Sequence, residues 1–303
     1  MEKEVYFYSN GVKLYGTFSI PQYLNKNKEA PIVIMSHGYG ASQNEFGDFV
    51  YLAQKLQETG IASFRFDNRG CGKSEYPLRR MLCCAEWKDD LISAIYFVSS
   101  FPGIDAGKIG LFGESMGGAN VIHAGALENI SKCIVALSAI SDGYNFVKGN
   151  WLRNKSEKEF NEFLKIIKED SIRKSIYGKS NLIKMADALP YSQRYLDLIE
   201  TLNKNFEDTE FTYYVEIASV ASIFKLKPIE FVGRVSPKPL LIMAGRKDGV
   251  VPWEENSKLL FEKAKEVKEF KLFANGDHGL LAEPTKTEAI RMIIDWFKKY
   301  LKI

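Results

Sequence analysis

The sequence predicts an α/β fold in which a mostly parallel central sheet carries helices on both faces. Two observations predict it. Short, near-continuous apolar runs recur along the chain, and segments with apolar residues at helical spacing follow most of them. Such runs are typical of strands that are buried on both faces. The alternation of strands and helices favours parallel strands joined by right-handed crossovers.

Each predicted element follows from a local pattern. The first residues alternate between apolar and polar around Asn10-Gly11, which predicts a β-hairpin. The apolar runs that predict the next strands are residues 31–35, 61–66, 108–112, 133–137, 239–243 and 269–273. Apolar spacing of three and four predicts helices over residues 46–56 and 87–98, one that opens at Met116, one over 254–265, and a last one that opens at Pro284. Gly60 follows the first of these helices at a typical stop position.

The alternation breaks after the sixth strand. Residues 141–236 are charged, aromatic and helical in pattern, and strand-like runs resume only at Pro239. We therefore expect an α/β core made of residues 1–140 and 237–303, with a helical cap of residues 141–236 inserted into it. The aromatic residues of the predicted cap are Trp151, Phe160, Phe163, Tyr191, Tyr195, Phe211, Tyr213 and Tyr214. They favour either an apolar or aromatic substrate group beneath the cap or a cap whose rings pack on one another.

The charge balance excludes some classes of partner. The 303 residues include 41 Lys and Arg against 38 Asp and Glu, a net charge of +3, and the basic residues form no stripe. This balance is unlike that of a protein that binds nucleic acid through bulk charge, so we expect no nucleic-acid partner. No apolar run reaches the ~18 residues of a membrane span, so we expect no membrane partner. A homodimer is compatible with the sequence.

The cysteines and the N-terminus indicate a compartment. Cys71, Cys83, Cys84 and Cys133 match no zinc or redox spacing, and we interpret them as reduced thiols. The N-terminal residues are acidic where a signal peptide would be basic and then apolar. We therefore expect a cytoplasmic protein that needs no metal and no cofactor.

One motif indicates a nucleophile. Gly113-Glu114-Ser115-Met116-Gly117 directly follows a predicted strand and opens a predicted helix. In that context a G-x-S-x-G motif places its serine on a tight, strained turn above the sheet. Gly113 and Gly117 are needed there because a Cβ at either position would collide with the neighbouring strand or helix. The start of a helix also favours negative charge. We therefore predict that Ser115 is a nucleophile.

A nucleophilic serine needs a general base, and the chain offers three histidines. His37 follows the strand over 31–35, and His123 lies two turns into the helix after the serine. Only His278 lies on a loop after the last predicted strand, so we predict that it is the base.

The base in turn needs a carboxylate. Asp248 follows the strand over 239–243 and gives the chain order Ser115, Asp248, His278. Asp142, at the end of the preceding strand, remains a real alternative. Asp277 is a weaker one, because it is adjacent to the histidine and would struggle to reach its ring. We favour Asp248.

Attack on a carbonyl carbon also requires an oxyanion hole, which usually consists of two backbone N–H groups. Met116, directly after the serine, would supply one of them. The loop Ser36-His37-Gly38-Tyr39-Gly40 should supply the other, and the amide of Tyr39 is our candidate. We expect His37 to brace this loop by hydrogen bonding rather than act as a base.

These motifs resemble those of the α/β-hydrolase superfamily, in particular its esterase, serine aminopeptidase-like and cinnamoyl-esterase-like branches. The matching segments are 37–40, 67–74, 113–117, 245–252 and 276–278, in the order of that family. The resemblance implies an α/β-hydrolase fold, a triad of Ser115, Asp248 and His278, and a cap over the pocket. The sequence Gly70-Cys71-Gly72-Lys73-Ser74 hints at a phosphate loop, but Asp67 stands where that motif requires its first glycine, so we interpret the segment as a structural turn.

The predicted activity is that of a carboxylesterase-type serine hydrolase acting on a small acyl ester through an acyl-enzyme. A peptidase or aminopeptidase and a thioesterase remain alternatives on the same three residues. A ligand-binding protein on a hydrolase scaffold is the alternative from another class, since a fold alone does not determine function.

Overall fold

One large sheet organises the chain in the computed structural model, which describes residues 2–21, 29–75, 82–192, 196–197, 200 and 214–303. Its strands are β1 (Glu2–Ser9), β2 (Val12–Ser19), β3 (Ala30–Ser36), β4 (Ala62–Phe66), β5 (Ile104–Glu114), β6 (Cys133–Leu137), β9 (Leu240–Gly245) and β10 (Lys268–Phe273). Two further strands, β7 (Leu182–Lys184) and β8 (Tyr214–Glu216), form a separate antiparallel ribbon.

The sheet is mostly parallel, as predicted. Its strand order is β1-β2-β4-β3-β5-β6-β9-β10. Only the pairs β1–β2 and β2–β4 are antiparallel. The hairpin turn lies at Asn10-Gly11, where both residues have a positive φ, as a two-residue hairpin turn requires. The carboxyl ends of the parallel strands therefore meet at one edge of the sheet, which is where α/β folds place ligands.

Helices cover both faces of the sheet. The helices are α1 (Asp48–Glu58), α2 (Trp87–Ser99), α3 (Met116–Leu127), α4 (Gly143–Asn154), α5 (Glu157–Tyr177), α6 (Met185–Ala188), α7 (Ile217–Ile223), α8 (Pro228–Phe231), α9 (Ser257–Lys263) and α10 (Lys286–Leu301). On β3, Val33 and Met35 pack with residues of α1 and α10, whereas Ile32 and Ile34 pack with α2, α3 and α9. Every residue of β3 is buried for this reason, which explains its continuous apolar run.

Several elements differ in extent from the prediction, and three of the differences have a clear cause. β5 runs over Ile104–Glu114 rather than 108–112, because its first residues extend the strand toward Ala30 of β3. α9 begins only at Ser257, because residues 254–256 form turns that bond back to Pro252 and Trp253. α10 begins at Lys286 rather than Pro284, because the hydroxyl of Thr285 donates to the carbonyl of Leu280 and holds a turn there.

The described part of the segment between β6 and β9 is largely helical, as predicted. Its longest helix, α5, begins with a capping box of Ser156 and Glu159 and ends at Gly178, which has a φ of 71°. The ribbon of β7 and β8 was not predicted. The proposed division at residues 141 and 236 remains a prediction.

The aromatic rings of this segment that the structure describes pack largely on one another. Trp151 stacks on Phe163 with ring centroids 4.7 Å apart, and Tyr144 meets Phe224 edge-on at 5.3 Å. Tyr195, Phe211 and Tyr213 lie outside the described residues. For the described rings, packing within the segment is therefore the better interpretation.

The lengths of the described helices and the state of the four cysteines bear on two earlier expectations, membrane spans and reduced thiols. Across the described ranges, every helix is too short or too polar to cross a bilayer. Cys71, Cys83, Cys84 and Cys133 are all buried and free, in agreement with reduced thiols. Burial raises the pKa of the Cys71 and Cys84 thiols, which therefore remain protonated.

Candidate active site

Ser115 lies on a sharp turn between the end of β5 and the start of α3. Its backbone has a φ of 56° and a ψ of −117°, a strained conformation for a residue with a side chain. The amide of Ser115 donates to the carbonyl of Leu137 at 2.9 Å, which ties the turn to the end of β6. The residue is partly exposed, although the residues on either side of it are buried.

The two glycines of the motif make this turn possible. A Cβ at Gly113 would collide with the carbonyl of Gly117, and a Cβ at Gly117 would collide with the carbonyl of Ser36. Both obstacles are backbone atoms, which cannot rotate away as a side chain can. The predicted steric requirement for glycine at both positions is confirmed.

We expect Gly117→Ala to lower the free energy of unfolding by on the order of 3 kcal/mol, because β3 and α3 would have to separate to admit the methyl group. Chemical denaturation followed by circular dichroism measures this change. Gly233→Ala is the matched control. A Cβ at Gly233 makes only an ordinary contact, 3.5 Å from the carbonyl of Lys263, so its effect should remain within about 0.5 kcal/mol. Equal stability of the two variants would contradict this interpretation.

His278 and Asp248 form a buried pair. Nδ1 of His278 lies 2.8 Å from Oδ2 of Asp248, and the two residues are only 9% and 5% exposed. The other carboxylate oxygen of Asp248 accepts the amides of Val250 and Val251 at 2.9 and 2.8 Å. The carboxylate is thus held from both sides. Because a carboxylate can only accept, Nδ1 of the ring carries the proton and Nε2 of the neutral ring can accept another.

The environment of His278 sets its pKa. Burial alone would lower it, but the charge of Asp248 and the hydrogen bond to it outweigh burial, with smaller contributions from Glu45 and Asp277. The pKa of His278 is therefore raised above its ordinary value of 6.5. The imidazolium form is stabilised, as a group that accepts a proton during a reaction requires.

The two rival carboxylates have other partners. Oδ1 of Asp142 accepts the amide of Asn145 and caps α4, while Oδ2 pairs with Nζ of Lys227 at 2.6 Å. Asp277 accepts the backbone amide of His278 at 2.9 Å. The carboxylate of Asp248 is hydrogen-bonded to the imidazole, which supports Asp248 as the partner of His278.

The end of β6 anchors the backbones of both the serine and the histidine. The carbonyl of Leu137 accepts the amide of Ser115, and the hydroxyl of the next residue, Ser138, donates to the carbonyl of His278 at 3.1 Å. Two consecutive residues therefore anchor the backbones of Ser115 and His278, which are 163 positions apart in sequence. The parallel register of β5, β6, β9 and β10 makes this convergence possible.

The loop after β3 is braced by His37, as predicted. The ring is fully buried, its Nδ1 donates to the carbonyl of Gly38 at 2.8 Å, and its Nε2 accepts the amide of Asn68 at 3.1 Å. Burial lowers the pKa of His37 to about 4, so the ring is neutral at physiological pH. A ring with both nitrogens engaged is a structural brace.

Met116 and Tyr39 carry the candidate amides of the oxyanion hole. Met116 is the first residue of α3, where an N–H has no carbonyl of its own helix to bind. Tyr39 follows Gly38, whose position is so close to the serine that a Cβ there would lie 3.6 Å from Cβ of Ser115. The structure thus brings the loop of Tyr39 against the turn of Ser115.

Two carboxyl groups near the site were missed by the sequence analysis. Oε2 of Glu45 accepts the amide of Gly38 at 2.6 Å. Glu114 is buried, and burial, reinforced by the charges of Glu45, Asp48 and Asp248, raises its pKa well above the ordinary value, so that it stays protonated. Glu114 could have been noted as a member of the motif, whereas no sequence pattern indicates the contact of Glu45.

Other sequence candidates have structural roles. The loop over 67–74 wraps around Asp67, whose carboxylate accepts the amides of Gln43 and Lys73, so it is not shaped around a phosphate. The buried ring of His123 packs on Phe231 with centroids 4.1 Å apart. Within the described ranges, no three His, Cys, Asp or Glu side chains are grouped so that they could hold a metal ion.

Comparison with known proteins gives two family matches and several similar structures. "Serine aminopeptidase, S33" matches residues 27–171, and "Prolyl oligopeptidase family" matches residues 176–303. The α/β hydrolase GrgF from Penicillium sp. sh18 superposes with a TM-score of 0.84 at 18% identity, and the whole of both chains is covered. The chain has the α/β-hydrolase fold.

The proteins that this chain is similar to carry several names. It is 28% identical over 294 residues, 97% of each chain, to an uncharacterized 31.7 kDa protein of the traX-finO intergenic region of Escherichia coli. It is 30% identical over 128 residues to the thiohydrolase aneE of Aspergillus aculeatus, which covers 42% of this chain and 38% of that one. The structure of Est1E from Butyrivibrio proteoclasticus with ferulic acid bound covers 99% of this chain and 100% of that one, with a TM-score of 0.67 and 18% identity. These matches support a hydrolase enzyme.

Proposed function

We propose that this α/β-hydrolase cleaves carboxylic esters through an acyl-enzyme on Ser115. The observation that carries the proposal is the 2.8 Å pair of His278 and Asp248, anchored at the same strand end as the strained turn of Ser115. A serine on such a turn and an oriented histidine anchored at the same strand end support nucleophilic catalysis, which needs both groups.

The chemistry follows from the positions of the protons. Because Nδ1 of His278 donates to Asp248, Nε2 can take the proton of the Ser115 hydroxyl as its oxygen attacks the carbonyl carbon. The amides of Tyr39 and Met116 would stabilise the oxyanion. The imidazolium then gives its proton to the departing alcohol, and the same ring deprotonates the water that releases the acid. Asp248 stabilises the charged ring in both steps.

The apolar surroundings of the serine favour an apolar acyl group. Met116, next to the serine, belongs to a buried cluster that also contains Trp87 and Ile140 of the core and Phe146 and Val147 of α4. Burying an acyl chain against such side chains contributes roughly 0.8 kcal/mol per methylene group. A series of p-nitrophenyl esters of graded length, with a cinnamate ester alongside, measures this preference through kcat/KM.

A fluorophosphonate probe tests the proposal directly, because it reacts with an activated serine and reports the modified residue by mass spectrometry. We expect labelling at Ser115 in the folded protein and none after heat denaturation. Absence of labelling in folded protein, together with no turnover of any ester, would favour the ligand-binding alternative.

A second candidate is the cleavage or transfer of thioesters, which the similarity to a thiohydrolase favours. A thiolate is a better leaving group than an alkoxide and depends less on protonation by the histidine. Paired oxygen esters and thioesters of the same acyl group discriminate between the two candidates by their ratio of kcat/KM. Aminoacyl p-nitroanilides, added to the panel, test the peptidase alternative that the two matched family descriptions suggest.

A further inference from the structure

We propose that Glu45 is a positioning residue that holds the oxyanion hole in its working orientation. This inference rests on the proposed function, since it concerns the same site. Glu45 lies on the loop between β3 and α1, eight positions after His37, and no sequence motif marks it.

The geometry begins at Gly38. Its N–H donates to Oε2 of Glu45 at 2.6 Å, and its carbonyl accepts from Nδ1 of His37 at 2.8 Å. The two polar groups of this glycine are thus held by two different side chains. Glycine is the residue with the greatest backbone freedom, so its orientation depends on such bonds more than that of any other residue would.

The orientation of Gly38 determines that of the Tyr39 amide. In a planar trans peptide the C=O of one residue and the N–H of the next point in opposite directions. Fixing the carbonyl of Gly38 toward His37 therefore directs the N–H of Tyr39 away from His37. Glu45 fixes the preceding peptide and prevents Gly38 from rotating, so that both bonds together define where the Tyr39 amide points.

The loop is built to present this carboxylate. Glu45, Phe46 and Gly47 have φ values of 43°, 53° and 90°, three consecutive residues in the left-handed region. Such a backbone costs energy at the two non-glycine positions and persists only where surrounding contacts hold it. The amide of Glu45 donates to Ser42 at 3.0 Å, and that of Gly47 donates to Asn44 at 2.9 Å. Strain of this kind next to a nucleophile is typical of a functional site.

The carboxylate of Glu45 is also close to the reacting groups. A Cβ on Gly38 would lie 3.0 Å from Oε1 of Glu45 and 3.6 Å from Cβ of Ser115, so glutamate and serine meet the same glycine. The negative charge of Glu45 also helps to raise the pKa of His278. Glu45 therefore acts on the site through Gly38 and the imidazole and need not touch the substrate.

The test compares Glu45→Ala with Glu45→Gln, whose amide oxygen can still accept the N–H of Gly38. We expect Glu45→Ala to lower kcat about 10- to 100-fold with KM changed less than about 3-fold, because removing an oxyanion donor outright costs about 10²- to 10³-fold. The Ki of a trifluoromethyl ketone, whose adduct carries the oxyanion, should rise in parallel with the loss of kcat. Glu45→Gln should retain kcat within about 5-fold of the wild type.

Glu58→Ala is the matched control, because Glu58 is exposed on α1 and pairs only with Lys55 in the described contacts. It should leave kcat, KM and Ki unchanged. The inference is overturned if Glu45→Ala retains wild-type kcat, if it changes KM alone, or if Glu45→Gln loses as much kcat as Glu45→Ala.

If Glu45→Ala does not fold, as judged by its thermal transition, Glu45→Asp decides the question. Its shorter side chain keeps the charge but withdraws the acceptor from Gly38, so a loss of kcat of about 5-fold or more supports the inference and an unchanged kcat overturns it. Failure of the proposed function gives a different result, since Ser115→Ala would then retain activity whatever the Glu45 variants do.

Discussion

Ser115→Ala is expected to lower kcat for ester hydrolysis by about 10⁴-fold or more. The reason is that alanine has no oxygen with which to form the acyl-enzyme, so that only the oxyanion amides and substrate binding remain to accelerate attack by water. Steady-state assays on the best p-nitrophenyl ester of the series measure the loss, and labelling by the fluorophosphonate should disappear at the same time.

The variant should fold like the wild type. Residue 115 keeps a Cβ, so the strain of its φ of 56° is unchanged. The hydrogen bond from its backbone amide to the carbonyl of Leu137 involves no side chain. A thermal transition within a few degrees of the wild type is the control. If more than about a tenth of the activity remained in such a folded variant, another residue would be the nucleophile and the proposed mechanism would be wrong.

Asp248→Asn is expected to lower kcat by about 10³- to 10⁴-fold and to shift the pH dependence. Its amide nitrogen can donate to the ring, which would move the imidazole proton to Nε2, where the serine needs an acceptor. In the wild type, kcat/KM should rise with pH through the pKa of His278, which lies above 6.5, because the neutral ring is the active form. Without the carboxylate, the effect of burial dominates and the pKa of His278 falls. The acidic limb of the profile, where kcat/KM rises with pH, should therefore move to lower pH.

Asp142→Asn is the matched control for this experiment. Asp142 caps α4 and pairs with Lys227, so its substitution removes a similar carboxylate without touching the imidazole. It should leave both kcat and the acidic limb where they are. The role proposed for Asp248 would be wrong if Asp248→Asn left the acidic limb of the kcat/KM profile unshifted. It would also be wrong if Asp142→Asn lost as much activity as Asp248→Asn.

The sequence could predict those features whose physical cause is local. The turn of Ser115 was predictable because the glycines at 113 and 117 mark where backbones approach too closely for a Cβ. The central strands were predictable because burial on both faces demands unbroken apolar runs, as in β3. The pairing of His278 with a carboxylate followed from chain order and from the rule that parallel strands end at one edge, although sequence alone left Asp142 as a rival.

The features that escaped prediction depend on tertiary contacts. The β7–β8 ribbon joins two three-residue strands 30 positions apart, too short to leave a pattern. Glu45 has no sequence signal because its contact with Gly38 arises from left-handed backbone at non-glycine residues. The raised pKa of Glu114 likewise depends on its burial and, beyond that, on the charges of Glu45, Asp48 and Asp248, which only the folded chain brings near it.

The anchoring of β6 has a practical consequence for engineering. Ser141, four residues beyond the strand, bonds to Asn256 and Glu255 through its amide and hydroxyl. A foreign segment grafted between Ser141 and Lys238 would leave these bonds, and those of Leu137 and Ser138, untouched. Chimeras joined at these two positions should therefore test whether the inserted segment sets substrate selectivity, while the anchored backbones of Ser115 and His278 keep their alignment.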